Sequence, residues 1–134
     1  MPKQKASKPG KRSVEIRWLD DVAEHDYAAA QAYLSLTLGE VGATRVVAGL
    51  RKGSLVTRRA NDILRAARLD PAPLDDPGVL KDLVKIVEGE HLSPVLLARS
   101  AGGTDIADGY HRVSLVYRLD PYAAVPLRLY DSAG

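Results

Sequence analysis

The segment 106–112, with the sequence IADGYHR, constrains the possible folds more than any other part of the chain. Its pattern predicts an apolar strand that turns at Asp108 and Gly109 into a helix, whose first turn carries His111 and Arg112. Cations at the start of a helix oppose the helix macrodipole, which favours negative charge there. Because an anion among the free backbone N–H groups would remove that conflict, the segment predicts a phosphate-binding site.

The segments on either side predict a small sheet around that helix start. Residues 92–99 form a predicted strand, and residues 101–104 form a tight turn into the next strand. After the helix, residues 125–129 alternate as an edge strand would, with Pro126 near the start. Upstream, a further helix is predicted to open at residues 75–77.

This order of elements resembles the ParB/sulfiredoxin-like family, in which x-P-V-L-L, a turn, D-G-x-H-R, a helix and V-P-x-x-L surround a phosphate-binding helix start. The resemblance covers residues 55–130, with approximate limits. It implies an α+β fold with a small mixed sheet and helices. An N-terminal helical hairpin over residues 21–52 would be an addition to that family core.

Departures from the family pattern bear on function. Sulfiredoxins carry a catalytic cysteine in a G-C-H-R run, whereas Tyr110 stands at that position here and the chain has no cysteine, so thiol chemistry is excluded. ParB proteins carry a G-E-R-R box, which binds a nucleoside triphosphate. In those proteins a helix-turn-helix domain follows, and we do not expect that domain here. A free serine kinase of the same fold carries a D-G-x-H-R run, so the resemblance implies that phosphate transfer is within the range of the fold.

Length and composition predict one globular domain, since the chain has 134 residues and 46% apolar content. No apolar run approaches the roughly 18 residues that span a membrane, and the start lacks the apolar stretch of a secretion signal. We therefore expect a cytoplasmic protein with no membrane partner. Because there is no cysteine and the histidines have no metal-ligand spacing, we expect no structural metal; the histidines are His25, His91 and His111.

The basic residues are concentrated at the start of the chain. Five of the 19 lie within residues 1–12, which contain no acidic residue, and 14 remain against 17 acidic residues in the rest of the chain. A segment of this composition cannot bury apolar surface, so residues 1–12 are expected to be a disordered basic tail and residues 13–134 the folded domain. The tail is a solubilising terminus in one interpretation and a nucleic-acid-binding arm in the other.

An extended segment and the helical hairpin precede the family core. Residues 13–19 alternate as an edge strand or an extended arm laid on the core. Asp21 and Glu24 resemble a capping box at the start of a first helix, which Gly39 ends before a second helix over residues 40–52. We expect the hairpin to add a packing layer to the core, to cover the ligand cleft or to mediate a homodimer.

The helix start supplies the main candidate site residues. Gly109 lets the backbone approach a ligand, and Arg112 can grip phosphate oxygens beside His111. In the alternative interpretation, His111 is a surface residue and Arg112 pairs with Asp108 or Asp105. Asp108 is the N-cap of the helix, or it fixes the tautomer of His111, or it binds a magnesium ion that accompanies a nucleotide. The sequence does not identify the acid/base group, for which Asp108 and His111 are the candidates.

Other polar residues extend the predicted site. Lys81 and Lys85 lie on one face of the preceding helix, where relatives of the fold place polar residues toward the phosphates; the alternative is a solvated pair. Tyr110 either stacks on a base or sugar or packs under the helix. Two further groups complete the set. Asp75 and Asp76 either cap a helix or act as general base. Three arginines either lie on the surface or widen the cleft: Arg58, Arg59 and Arg65.

These residues predict a protein that binds a nucleotide, such as ATP, ADP or CTP with Mg²⁺, or another phosphorylated small molecule at the helix start 108–112. Phosphate transfer and nucleotide hydrolysis are the reactions that such a site would catalyse. The alternative function is a non-catalytic regulatory module of the same fold, or one that binds nucleic acid or protein.

Overall fold

A computed structural model describes residues 15–132, so the predicted basic tail 1–12 lies outside the described residues. Within the described range, no helix combines the length and the apolar character needed to cross a bilayer. The elements in chain order are α1 (Glu24–Lys52), β1 (Leu55–Arg59), α2 (Ala60–Ala67), α3 (Pro77–Val87), β2 (Val95–Ser100), β3 (Gly103–Asp108), α4 (Tyr110–Leu119) and β4 (Ala124–Asp131).

The strands form one mixed sheet in the order β1-β4-β2-β3. β1 pairs antiparallel with β4, and β2 pairs antiparallel with β3, whereas β2 and β4 run parallel. The tight hairpin between β2 and β3 is the one predicted from residues 101–104. The predicted α+β class with a small mixed sheet is therefore confirmed.

β4 is an inner strand, so the prediction of an edge strand at residues 125–129 is wrong. The sequence favours an edge because proline lacks the N–H that an inner strand donates to its neighbour. Pro126 lies opposite Thr57 of β1, but the pairing of β4 with β2 begins only at Leu127, opposite Val95. The proline thus has a neighbouring strand on one side alone, and the sheet tolerates it.

Helices cover both faces of the sheet, because alternate residues of β2 point to opposite sides. Leu96 and Ala98 pack with α1 in one apolar cluster, while Val95 and Leu97 pack with α2 and α4 in another. A third cluster joins α3 to α4. The hairpin α1 is therefore a packing layer on one face of the sheet, and α4 lies between the other face and α3.

α1 is a helical hairpin, as the sequence predicts. Gly39, with φ 77° and ψ 167°, breaks the helix into two arms, residues 24–38 and 40–52. The arms fold back on each other, since Arg51 Nη2 lies 2.7 Å from Glu24 Oε1. In a straight helix these two residues would be roughly 40 Å apart.

The capping box expected at Asp21 and Glu24 does not form. α1 begins after Ala23, which has no capping side chain, and Glu24 pairs with Arg51 of the other arm. Both carboxylate oxygens of Asp21 accept from the guanidinium of Arg128 in β4, at 2.9 and 2.8 Å. A two-pronged ionic contact is stronger than one bond to a backbone N–H, so the tertiary contact replaces the local cap.

Residues 15–19 form an extended arm on the core, the second of the two predicted alternatives. Trp18 makes a single parallel bridge with Leu92. Backbone hydrogen bonds of 2.8 Å run from Leu19 N to Leu92 O and from Leu92 N to Arg17 O. The arm is therefore held by one bridge and lies outside the four-stranded sheet.

Gly49 of α1 faces the ring of Tyr130 in β4, where a Cβ atom would lie 2.1 Å from Cδ1 of that ring. We expect Gly49→Ala to lower the free energy of unfolding by about 2 kcal/mol, because overpacking outweighs the ~1 kcal/mol that alanine gains over glycine in a helix. Urea denaturation measures the difference. Gly102→Ala is the control, since that Cβ would meet only Ser100 Oγ at 3.7 Å. Equal stability of Gly49→Ala and wild type would contradict the close approach.

The tip of the hairpin leaves apolar side chains exposed: Leu36 is 86% and Val41 is 76% exposed, whereas Leu34 is fully buried. The homodimer predicted from the sequence would bury this tip. We expect light scattering at micromolar concentration to find a dimer that Leu36→Asp dissociates without unfolding, and we expect Leu34→Asp to unfold the domain. A monomeric wild type would contradict the homodimer.

Candidate functional site

The turn from β3 into α4 depends on Gly109. This residue is the N-cap of α4, with φ 112° and ψ 15°, a left-handed conformation that favours glycine. A Cβ atom there would lie 2.8 Å from Val95 Cγ2 and 3.0 Å from Arg112 Nη2. Asp108 is the last residue of β3, so its prediction as N-cap is wrong. No side chain among residues 15–132 caps the first turn of α4.

Arg112 is held inside the domain by two carboxylates. Its Nη2 atom lies 3.2 Å from Asp26 Oδ2, 3.1 Å from Asp108 Oδ2 and 3.4 Å from the carbonyl oxygen of Pro94. The side chain of Arg112 is 15% exposed, and that of Asp26 is 5% exposed. The pairing with Asp108 is the alternative that the sequence left open, whereas Asp26 was not predicted. We name Asp26, Asp108 and Arg112 the carboxylate–arginine cluster.

Burial raises the pKa of Asp108, and the neighbouring carboxylate of Asp26 adds to that effect, while Arg112 opposes it. Arg112 Nε is buried without a hydrogen-bond partner in the described part of the chain. One guanidinium therefore faces two carboxylates, and a proton on Asp108 would remove the excess negative charge of the cluster.

His111 joins α4 to the start of α3. Its Nε2 atom lies 3.2 Å from Oδ2 of Asp76, and the same carboxylate accepts from the N–H groups of Gly78 and Val79 at 2.8 and 3.3 Å. The His111 ring lies against Gly78, where a Cβ atom would come within 2.7 Å of it. The capping prediction is thus confirmed for Asp76. It is wrong for Asp75, which is exposed and precedes the N-cap.

A cleft of about 270 Å³ lies between α3, α4 and the first residues of α1. The two predicted lysines line it together with the predicted helix start, so the fold brings all seven predicted binding residues to one place. Three residues that the sequence analysis did not assign to the site line it as well. We name this space the polar cleft, and its lining is His25, Gly78, Lys81, Asp82, Lys85 and residues 108–112.

Asp26 and Asp82 each lie within the apolar stripe of a helix, which is a signal present in the sequence. Asp82 lies three residues after Val79 and four before Ile86, which places it on the buried face of α3. Asp26 precedes the buried Ala30 by four residues in α1. A carboxylate within an apolar stripe is rarely buried without a partner or a function, so both positions could have been singled out.

A second cleft, of about 510 Å³, shares the wall formed by residues 108–111. It lies beside β3 at the edge of the sheet, with Ala29 and Tyr33 of α1 on one side and Leu69 on the other. Tyr33 donates its O–H to Asp105 at 3.3 Å on the wall of this space. We name it the apolar cleft, because most of its other lining is aliphatic or aromatic.

Tyr110 packs under α4. Its side chain contacts two of the apolar clusters, and its O–H donates to the carbonyl oxygen of Asp70 at 2.7 Å. The residue also lines both clefts. The packing interpretation of Tyr110 is therefore confirmed, and stacking on a base or sugar stays a prediction.

The three arginines near β1 do not reach the site. Neither the polar cleft nor the apolar cleft is lined by Arg58, Arg59 or Arg65. Arg65 pairs with Asp62 at 3.5 Å on the exposed side of α2. The surface interpretation of these arginines is the one that the structure supports.

Comparisons with protein-family models, curated proteins and solved structures found no match. The resemblance to the ParB/sulfiredoxin-like family therefore stays a prediction that rests on the sequence motifs. Within residues 15–132, no group of three or more His, Cys, Asp or Glu side chains is arranged to hold a metal ion.

Replacing Arg112 by methionine would leave Asp26 and Asp108 buried without their cation. We expect Arg112→Met to lower the free energy of unfolding by about 3–5 kcal/mol near neutral pH. Arg112 would then no longer oppose the effect of burial on Asp108, so the folded pKa of Asp108 would lie further above its unfolded value. The loss should therefore shrink as the pH falls toward about 5. Urea denaturation across this range measures the effect.

Arg118→Met is the matched control, because Arg118 lies on the same helix and donates to the carbonyl oxygens of Pro71 and Ala72. Its effect on the free energy of unfolding should be similar at each pH. A loss for Arg112→Met that does not vary with pH would contradict the role assigned to the carboxylate–arginine cluster.

Proposed function

We propose that the protein binds a nucleotide or another phosphorylated small molecule, with a phosphate group in the polar cleft at the start of α4. The observation that carries this proposal is the first turn of α4, which no described side chain caps and which opens into a cleft with two lysines. First-turn N–H groups have no partner within their own helix, and the helix dipole adds partial positive charge. Phosphate groups bind at helix starts for these two reasons.

Lys81 and Lys85 supply the positive charge that remains available to a ligand. Lys81 is exposed and Lys85 is half-buried, and both lie one turn apart on α3 and line the polar cleft. Arg112 is neutralised by Asp26 and Asp108, so it orients the start of α4 instead of meeting the ligand with a free charge. The proposal therefore assigns the phosphate contacts to the lysines and the backbone N–H groups.

The apolar cleft favours a ligand with an organic part over inorganic phosphate. The two clefts share residues 108–111, so a ligand whose phosphate lies at the start of α4 can extend past this wall. A flat group between Tyr33 and Leu69 would bury apolar surface on both sides, as ligands in concave apolar sites do. A nucleotide has both parts.

Phosphate transfer or nucleotide hydrolysis would extend the same site. Asp108 and His111 line both clefts, where a group could pass a proton to or from the ligand. Asp76 fixes the His111 ring by its contact with Nε2. Mg²⁺ would enter with the nucleotide, whose phosphates supply oxygen ligands, and Asp108 is the carboxylate expected to meet it.

Thermal-shift assays with ATP, ADP, CTP and phosphorylated sugars, each with and without Mg²⁺, test the proposal. A ligand at about 100 times its Kd stabilises the folded state by about 2.7 kcal/mol, which raises the Tm by several degrees. No shift across the whole panel would contradict the proposed function.

Substitution of Lys81 and Lys85 tests whether the ligand binds at the start of α4. We expect the double variant Lys81→Gln, Lys85→Gln to bind the best ligand of the panel roughly 30-fold more weakly, since each lysine–phosphate contact contributes about 1 kcal/mol. Lys52→Gln removes an exposed lysine at the end of α1 and should leave the Kd unchanged. If calorimetry gives the double variant the wild-type Kd, the ligand does not bind at the start of α4.

A further inference from the structure

Asp82 of α3 is buried, yet its carboxylate makes no hydrogen bond or ion pair with any described residue. It is 8% exposed and lies on the face of α3 that carries the buried Val79 and Ile86. Asp26 and Asp108, by contrast, both lie within 3.2 Å of Arg112. The Asp82 oxygens are not fully enclosed, because Arg112 Nε is the only fully buried side-chain polar atom without a partner among the described residues. A carboxylate that is so largely buried and has no protein partner is still unfavourable, so its presence requires a reason.

Positive groups surround Asp82 without bonding to it. Arg112, Lys85, His111 and Lys81 favour its ionised form, but burial has the larger effect and raises the pKa of Asp82. None of the four forms an ion pair with the carboxylate. Because Asp82 lines the polar cleft, its unused acceptor oxygens adjoin the space that the proposed function assigns to the ligand.

We propose that Asp82 accepts a hydrogen bond from a hydroxyl group of the ligand, which makes the ligand a phosphate ester that carries hydroxyl groups. This inference rests on the proposed function, because it places the phosphate and the hydroxyl in the same cleft. A hydroxyl fits better than a cationic group, since Lys81 and Lys85 would repel a further positive charge. Sites built to bond a hydroxyl discriminate strongly against analogues that lack it.

The same proposal explains why a carboxylate interrupts the apolar stripe of α3. Leucine at position 82 would continue the stripe and remove an unpaired buried charge, so Asp82→Leu should keep or raise the Tm. A purely structural role for Asp82 predicts a lower Tm. Thermal denaturation without ligand therefore separates the two roles before any binding is measured.

Glycerol 3-phosphate and propyl phosphate are matched probes, because they differ only in two hydroxyl groups. Calorimetry at about pH 8 with EDTA compares them as dianions. The wild type should bind glycerol 3-phosphate about tenfold more tightly or better, the range for a hydrogen bond to a charged group. Asp82→Leu should abolish that preference, Asp82→Asn should reduce it, and the exposed control Asp75→Asn should retain it.

Equal affinities of the wild type for the two probes, or a preference that persists in Asp82→Leu, would overturn the inference and leave the proposed function standing. If Asp82→Leu fails to fold, an undiminished preference in Asp82→Asn overturns it. A preference that arises only when Mg²⁺ replaces EDTA overturns it too, because Asp82 would then act through a metal ion. If neither probe binds, the inference fails, and the proposed function fails with it only when the nucleotide panel also gives no shift.

Discussion

The ion pairs of Arg112 with Asp26 and Asp108 join the hairpin α1, the end of β3 and the start of α4. The cluster is largely buried, so water and salt screen it weakly, and loss of one partner would leave a charge uncompensated. Gly109 takes part in the same arrangement, because a Cβ atom there would crowd Nη2 of Arg112. The direction in which α4 leaves the sheet, and with it the position of the polar cleft, depends on these contacts.

Because Arg112 has this structural role, the proposed function takes the positive charge for the ligand from Lys81 and Lys85 instead. The site then has two walls of different character. On α4, backbone N–H groups and His111 are held in place by the helix and by Asp76. On α3, Lys81 is exposed and Lys85 is half-buried, and an ammonium group on a long side chain acts as a point charge without a required direction. In the proposed site, the start of α4 is therefore the pre-organised part.

Patterns confined to one element predicted much of the fold. Two such predictions were confirmed: Gly39 breaks α1 into two arms, and Asp76 caps α3. Each depends only on residues close to it in the sequence. The prediction that β4 is an edge strand was wrong. Pro126 shows only that one N–H is missing, whereas the register of β2 decides whether a neighbouring strand lies opposite that residue. The prediction of Asp108 as N-cap was wrong for a related reason. Its carboxylate accepts a hydrogen bond from Arg112, and Gly109 is the N-cap.

The sequence by itself determined the α+β class, the strand–glycine–helix turn at residues 108–112 and the shared face of Lys81 and Lys85. Periodicity and the backbone freedom of glycine are local properties, so these features need no knowledge of the rest of the chain. Only the tertiary structure decided that Arg112 meets Asp26, 86 residues away, and that Asp82 is buried in the polar cleft without a partner. Ion pairs depend on distance in space, and an apolar stripe can mark a carboxylate as buried but cannot specify what lies opposite it.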